Sequence, residues 1–261
     1  PFGLLINRWS DWSVHDHIRE MHELWKPHFY EGNPAGPEFW LNEYEAGRAR
    51  NESTGYDLSY LWEMSADDAR RHHNEKVRPG AAKALGVHAP VKCFDHHTCH
   101  AYYAYYGAEI PGRVAPEDTI VLTADGMGDG LNWSVSIPTE NGLLERLDCG
   151  DDNAVGRLYR FTTLILGMKP NEHEYKVMGL APYTNASKYV EQVEDLYSEI
   201  LDFRDGKFVS DRPLKDSYFD LKDRLEGHRF DAISAGLQNW STRITIDWMR
   251  SWLQKTGRKH L

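Results

Sequence analysis

Three clusters of residues in this 261-residue chain have the types and spacing that chemistry needs. The first is Asp95-His96-His97-Thr98-Cys99-His100-Ala101. On a helix, His96 and His100 stand one turn apart on one face, and two imidazoles at that separation can bind one divalent metal ion. Neutral imidazole suits iron, zinc or nickel better than magnesium. His97, three residues before His100, is placed to share the ligation or to orient a ligand. A histidine group near a helix start also serves as a surface or capping feature. The second cluster is Thr123-Ala124-Asp125-Gly126-Met127-Gly128-Asp129-Gly130. Its glycines let backbone amides approach phosphate oxygens, and a carboxylate such as Asp125 can hold a metal that bridges them. Asp-Gly is also the commonest turn dipeptide, but a plain hairpin needs one such pair and this stretch has two. The third cluster runs from Lys169-Pro170-Asn171-Glu172 through His173-Glu174-Tyr175-Lys176-Val177-Met178-Gly179-Leu180-Ala181. There Lys176 and helix-end amides could meet an anion, although charge runs commonly face water.

These clusters need elements to hold them. Residues 91–94 read as a short strand, and the alanine- and tyrosine-rich stretch 96–106 as a helix ended by Gly107. Residues 119–123 read as a buried strand, 126–130 as a turn and 131–137 as a second, alternating strand. Asn141-Gly142 turns the chain into a third strand at 143–147, and a helix at 154–166 closes at Gly167 and Pro170. Tyr189, Val193, Leu196 and Ile200 mark one amphipathic helix, and Ile233, Leu237, Trp240, Ile244 and Trp248 another. Tyr102, Tyr103, Tyr105 and Tyr106 read as packing residues. Earlier in the chain, Val14, Ile18, Met21 and Trp25 predict a helix over 13–26, interrupted by Pro27. Ser65 caps a predicted helix running towards Val77 before Pro79, and 32–51 reads as a long irregular stretch.

Composition narrows the function. A formal charge of −10 disfavours a polyanionic partner, so no nucleic acid is expected. Three cysteines without paired spacing fit reduced thiols and a cytoplasmic setting. No apolar run reaches the roughly 20 residues of a membrane span, so no membrane association is expected.

Taken together, Asp95-His96-His97-x-x-His100-Ala101, Thr123-Ala124-Asp125-Gly126-x-Gly128-Asp129, Leu158-Tyr159 and the run from Leu166-Gly167-Met168-Lys169-Pro170 into His173–Ala181 closely resemble the carbamoyltransferases of the NodU/CmcH type. The resemblance is strong over 91–183, weaker to Leu261 and faint before it. It implies an α/β unit of the actin-like ATPase fold (ASKHA, ribonuclease-H-like), incomplete here, with a three-stranded antiparallel meander plus helices. Residues 1–115 would form a partial first subdomain with the histidine motif, and 116–261 the start of a second. A glycine-rich nucleotide motif and a YrdC-like domain would follow, so the isolated fragment is expected to be inactive.

The implied enzyme converts carbamoyl phosphate and ATP to a carbamoyl-adenylate and passes the carbamoyl group to a hydroxyl of a small-molecule acceptor. The resemblance makes His96 and His100, with Asp125, the ligands of a metal expected to be iron. It places Asp125, Gly126, Gly128 and Asp129 near metal and phosphates, and Glu174 and Lys176 near the adenylate. Lys176 would hold phosphate, and either His97 or His173 would take the acceptor's proton. A homodimer is a further expectation. Alternatives are another actin-like transferase, acting in threonylcarbamoyl or phosphoryl transfer, or a non-catalytic metal-binding module.

Overall fold

Asp95 starts the element on which the first cluster stands. Its backbone is extended and its carboxylate accepts the Thr98 N–H, which caps the helix His96–Gly107. The computed structural model describes residues 68, 71–108, 112–184, 187–210 and 217–261. The predicted helix at 13–26, the stretch 32–51 and the Ser65 cap lie outside the described residues. Two compact units, 1–93 and 94–261, divide the chain. The His96–Gly107 helix therefore stands in the same unit as the strands that follow it.

In the first unit a π-helical turn, His73–Val77, leads into α1, Arg78–Ala84. The predicted stop before Pro79 is corrected: the helical path runs through it. Pro79 directly follows the π-helical turn, the local irregularity at which a missing N–H is accommodated inside a continuing helix. Residues 91–94, expected as a strand, carry no regular secondary structure, and no strand among the described residues pairs with them.

In the second unit α2 (His96–Gly107) packs on a meander of β1 (Val121–Gly128), β2 (Leu131–Pro138) and β3 (Leu144–Gly150), in sheet order β1-β2-β3. β1 extends further than the sequence indicates. The expected glycine-rich turn at 126–130 is mostly strand, with a register irregularity between Ala124 and Gly128. Only Asp129 and Gly130 form the turn, with φ of 54° and 80°, the left-handed pair that two-residue hairpin turns use. Tyr105 is buried, the Tyr102 hydroxyl accepts the Leu144 N–H, and the Tyr106 hydroxyl donates to the Gly142 carbonyl, so three of the four tyrosines fasten α2 to the sheet. Tyr103 is exposed.

Helices cover the rest: α3 (Val155–Ile165), α4 (Glu174–Leu180), α5 (Ser187–Ile200), α6 (Ser217–Leu225) and α7 (Phe230–Thr256), with a small hairpin of β4 (Asp202–Arg204) and β5 (Lys207–Val209). The marked face of α7 is the buried one: Ile233, Leu237, Trp240, Ile244 and Trp248 all lie in the core. On α5 the buried set is Val190, Val193, Tyr197 and Ile200, with Tyr189 exposed. After α7, the Ile120 N–H donates to the His260 carbonyl and Thr119 bridges His260 in parallel. The chain thus returns beside the start of β1.

Trp240 is the centre of this core. It is fully buried, its indole N–H donates to the Leu201 carbonyl at 2.8 Å, and its ring stacks on Tyr197 at 5.3 Å. Trp240→Ala is expected to cost about 3–5 kcal/mol of stability, read as a lowered urea midpoint. None of the described helices is long and apolar enough to cross a membrane.

Candidate metal centre

Helical spacing and a bulged strand end together build the site. His96 and His100 on α2 project to the same side, with Nε2 atoms 3.0 Å apart. Asp125 of β1 meets both. Its Oδ2 contacts His96 Nε2 and lies 3.3 Å from His100 Nε2. One ligand atom from each of the three residues lies within 4.8 Å of the others. Two imidazoles and a carboxylate converging in this way form a nitrogen and oxygen donor set of the kind that takes zinc or non-haem iron. The side chains of His96 and His100 are 41% and 49% exposed, so their side of the cluster is open to solvent and substrate.

His97 closes the other side. Its ring has no exposure, Nδ1 lies 2.7 Å from Thr123 Oγ1, and Thr123 Oγ1 lies 2.7 Å from Ser134 Oγ. Thr123 and Ser134 are cross-strand partners, so the relay spans β1 and β2. His97 Nε2 faces Asp125 Oδ1 at 3.5 Å, beyond hydrogen-bond reach, and neither atom has a hydrogen-bond partner among the described residues. Burial pushes the His97 pKa down, and the Asp125 carboxylate partly offsets it. Enclosed in this way, His97 fills the buried side of Asp125 and is not placed to receive a proton from an acceptor.

Gly128 and Asp129, both expected to face a nucleotide, serve the histidine helix. A Cβ on Gly128 would lie 2.2 Å from the His96 ring, so the imidazole occupies space that only glycine leaves. Asp129 Oδ2 accepts the His96 N–H at 2.8 Å. Gly126 has open space where a Cβ would be, and α3 begins against it: a Cβ on Gly156 would meet the Gly126 backbone at 3.1 Å.

A clamp that the sequence did not reveal fixes the start of α2. Arg146 of β3 donates Nη2 to Asp95 Oδ1 and to Thr98 Oγ1, both at 2.7 Å. Burial would raise the Asp95 pKa, but hydrogen bonds from Arg146 and Thr98 outweigh it and hold the carboxyl down to about 2. The folded value lies below the unfolded 3.8, so this stabilisation is complete above that pH and disappears as the pH falls through about 2. Arg146→Met should cost about 1–3 kcal/mol at neutral pH. It should also flatten the dependence of the urea midpoint on pH in that acid window.

Beside the cluster, a cavity of about 530 Å³ is lined by Asp125, Gly126, Gly156, Tyr159 and Glu174, with Gln238 and neighbouring α7 residues on the far wall. Tyr159 donates to Gln238 Oε1 at 2.7 Å, and Gln238 donates to Thr242 Oγ1 at 3.1 Å. Burial raises the Tyr159 pKa, so the phenol stays a donor. Glu174 lines the cavity with Asp125, whereas Lys176 is not on its wall and its Nζ sits 2.9 Å from His173 Nε2. His173 Nδ1 accepts the Lys169 N–H at 3.1 Å. Both ring nitrogens of His173 are thus turned to Lys169 and Lys176, and neither His97 nor His173 is on the cavity wall.

Comparison with known proteins adds the lineage. The family model for the carbamoyltransferase N-terminus matches residues 59–256. Nodulation protein NolO of Bradyrhizobium diazoefficiens is 29% identical over 171 residues, which is 64% of this chain and 30% of that protein. Nodulation protein NolNO of Sinorhizobium fredii is 29% identical over 170 residues, 64% of this chain and 24% of its own length. An uncharacterized protein of Synechocystis sp. is 32% identical over 120 residues, 46% of this chain and 18% of its own. The chain thus spans less than a third of the length of these relatives. With its match covering both the histidine helix and the meander, the chain belongs to the carbamoyltransferase N-terminus family.

Proposed function

We propose that this chain is the metal-binding portion of an O-carbamoyltransferase, in which His96, His100 and Asp125 hold a divalent ion, with iron the preferred metal. The observation that carries the reading is the convergence of those three side chains beside an open cavity in a chain of this family. The fit is chemical: the two Nε2 atoms lie 3.0 Å apart and Asp125 Oδ2 meets both, so two nitrogen donors and one oxygen donor converge. When bound, such an ion supplies positive charge that stabilises developing negative charge on a carbonyl oxygen.

The chain's own residues do the rest. His97, held by Thr123, which in turn meets Ser134, fills the buried side of Asp125. Gly128 leaves room for His96, and the Asp95–Arg146 pair anchors the helix that carries both ligands. Tyr159 and Gln238 offer polar contacts to a molecule in the cavity, and Glu174 offers a carboxylate. In the overall reaction, water cleaves carbamoyl phosphate to carbamate and inorganic phosphate, and a carbamate oxygen then bonds to the α-phosphorus of ATP, releasing pyrophosphate. The acceptor hydroxyl oxygen then bonds to the carbamoyl carbon, AMP leaves and the hydroxyl proton passes to a base. With His97 enclosed and His173 engaged, Glu174 is the titratable group on the cavity wall best suited to that proton.

The meander followed by a helix, with His260 paired in parallel beside β1, supports reading the second unit as part of an actin-like ATPase fold. Further parts of the site, including a YrdC-like domain, would come from the rest of the protein. The test is to incubate the full-length protein with ATP and carbamoyl phosphate and to follow products by phosphorus NMR and mass spectrometry. Carbamoyl-adenylate with pyrophosphate is expected. Release of inorganic phosphate alone would count against the mechanism.

A further inference from the structure

Behind Asp125, three polar side chains are sealed from solvent: His97, Thr123 and Ser134. A histidine that only fills a core has both ring nitrogens paired, because a buried polar atom without a partner is costly. His97 has one paired. Its Nδ1 lies 2.7 Å from Thr123 Oγ1, whereas Nε2 has no hydrogen-bond partner among the described residues. Asp125 Oδ1, which Nε2 faces at 3.5 Å, has none either. The Leu131 carbonyl favours a protonated ring but does not satisfy Nε2. Two complementary buried atoms thus stand just outside the roughly 3.2 Å limit of an N–H···O bond.

The two hydroxyls decide which nitrogen carries the hydrogen. Burial lowers the His97 pKa, so at neutral pH the ring has one N–H and one lone pair. Among the described residues, Ser134 Oγ meets only Thr123 Oγ1, at 2.7 Å. If the hydrogens run from Ser134 to Thr123 and from Thr123 to His97 Nδ1, each hydroxyl hydrogen has an acceptor. The ring hydrogen then sits on Nε2, facing a carboxylate oxygen. In the reverse order the Ser134 hydrogen has no acceptor among the described residues, and the Nε2 lone pair opposes that oxygen. The first order is favoured on both counts.

We propose that Ser134 and Thr123 hold His97 as the tautomer with its hydrogen on Nε2, and that His97 donates this hydrogen to Asp125 Oδ1 when the carboxylate takes the metal ion, leaving Oδ2 to the ion. The proposal rests on the reading of His96, His100 and Asp125 as metal ligands. Ser134 and Thr123 are positioning residues, acting on Asp125 through His97. A ligating carboxylate whose other oxygen is hydrogen-bonded is held in place for the ion. The strands supply the alignment: Thr123 stands two residues before Asp125 on β1 and pairs in register with Ser134 on β2. The histidine between the two ligand histidines of α2 is thereby tied to the sheet that carries the third ligand.

The experiment is anaerobic titration of the full-length protein with ferrous ion, in native form and as Thr123→Val, Ser134→Ala, His97→Leu and His97→Gln. Affinity is expected to fall roughly tenfold or more in Thr123→Val and His97→Leu, and by less in Ser134→Ala, which keeps the Thr123 hydroxyl. His97→Gln should recover most of the loss, because its amide N–H can stand where the Nε2 hydrogen does. Mere destabilisation would not be relieved by that variant, and circular dichroism of the metal-free proteins reports folding. Nitrogen NMR of the zinc-loaded protein with isotope-labelled histidine reads the tautomer in the native chain, so the test survives should Thr123→Val unfold. The His97 signal, assigned by its loss in His97→Gln, is expected to show hydrogen on Nε2. Hydrogen on Nδ1, unchanged affinity in folded Thr123→Val, or no recovery in His97→Gln would overturn this proposal alone. A native protein that takes up no ferrous ion would overturn the metal reading and the proposal with it.

Discussion

Replacing His100 by alanine, or Asp125 by asparagine, is expected to abolish tight metal binding and to lower carbamoyl transfer by roughly a hundredfold or more, a loss of at least about 3 kcal/mol of transition-state stabilisation. The reason is geometric. Asp125 Oδ2 reaches both imidazoles, so each substitution leaves two donors where three converge. His100 and His96 are partly exposed on α2, whose packing on the sheet depends on Ala101 and Tyr105. The variants should therefore fold. Metal content by mass spectrometry and transfer rate by product analysis, measured on the same preparations, check the expectation. Full metal occupancy in both variants would show that other groups hold the ion.

Gly128→Ala is expected to have the second largest effect, although it removes no polar group. The added methyl carbon would sit 2.2 Å from the His96 ring carbons, far inside contact distance, so the imidazole must rotate or α2 must shift. Either movement takes His96 Nε2 away from Asp125 and His100. A loss of about 10–100-fold in metal affinity follows, on the scale of disrupted support for a metal ligand. Titration with ferrous ion under anaerobic conditions, with far-ultraviolet circular dichroism to confirm folding, provides the measurement. Gly126→Ala is the control: open space surrounds that position, and metal affinity should change little.

Much of this arrangement is legible in the sequence where periodicity is long or turn chemistry is strong. The α7 face follows from five apolar residues spaced over four turns, and the Asn141-Gly142 turn from its dipeptide. His96 and His100 follow from a four-residue spacing that α2 realises. Other parts are hidden for physical reasons. Residues 126–130 read as a turn because glycine disfavours strands, yet β1 runs on to Gly128, where β2 supplies a partner and a register irregularity accommodates the extra residues. The Arg146 clamp joins residues 51 positions apart, which no local pattern announces. On α5, Tyr189 and Leu196 are apolar enough to mark a face, but the core selects Val190 and Tyr197 one position further on. The short α4, with Gly179 inside it, carries too little helical signal to stand apart from the charged run around it.

The glycines of the second cluster show why a motif and its use are separate questions. Gly126 lies open on the cavity side and remains available to a ligand, whereas Gly128 makes room for a histidine of the preceding helix α2. One spacing thus serves both a binding surface and the packing of a ligand-bearing ring.

Metal-edge X-ray absorption on the full-length protein loaded with ferrous ion tests the central claim most directly. The account predicts scattering from two imidazole rings with nitrogen and oxygen neighbours at about 2.0–2.2 Å, a signature absent from His100→Ala, which no longer holds the ion tightly. Sulfur neighbours, which would implicate cysteines such as Cys99, or an unchanged spectrum in His100→Ala, would contradict it.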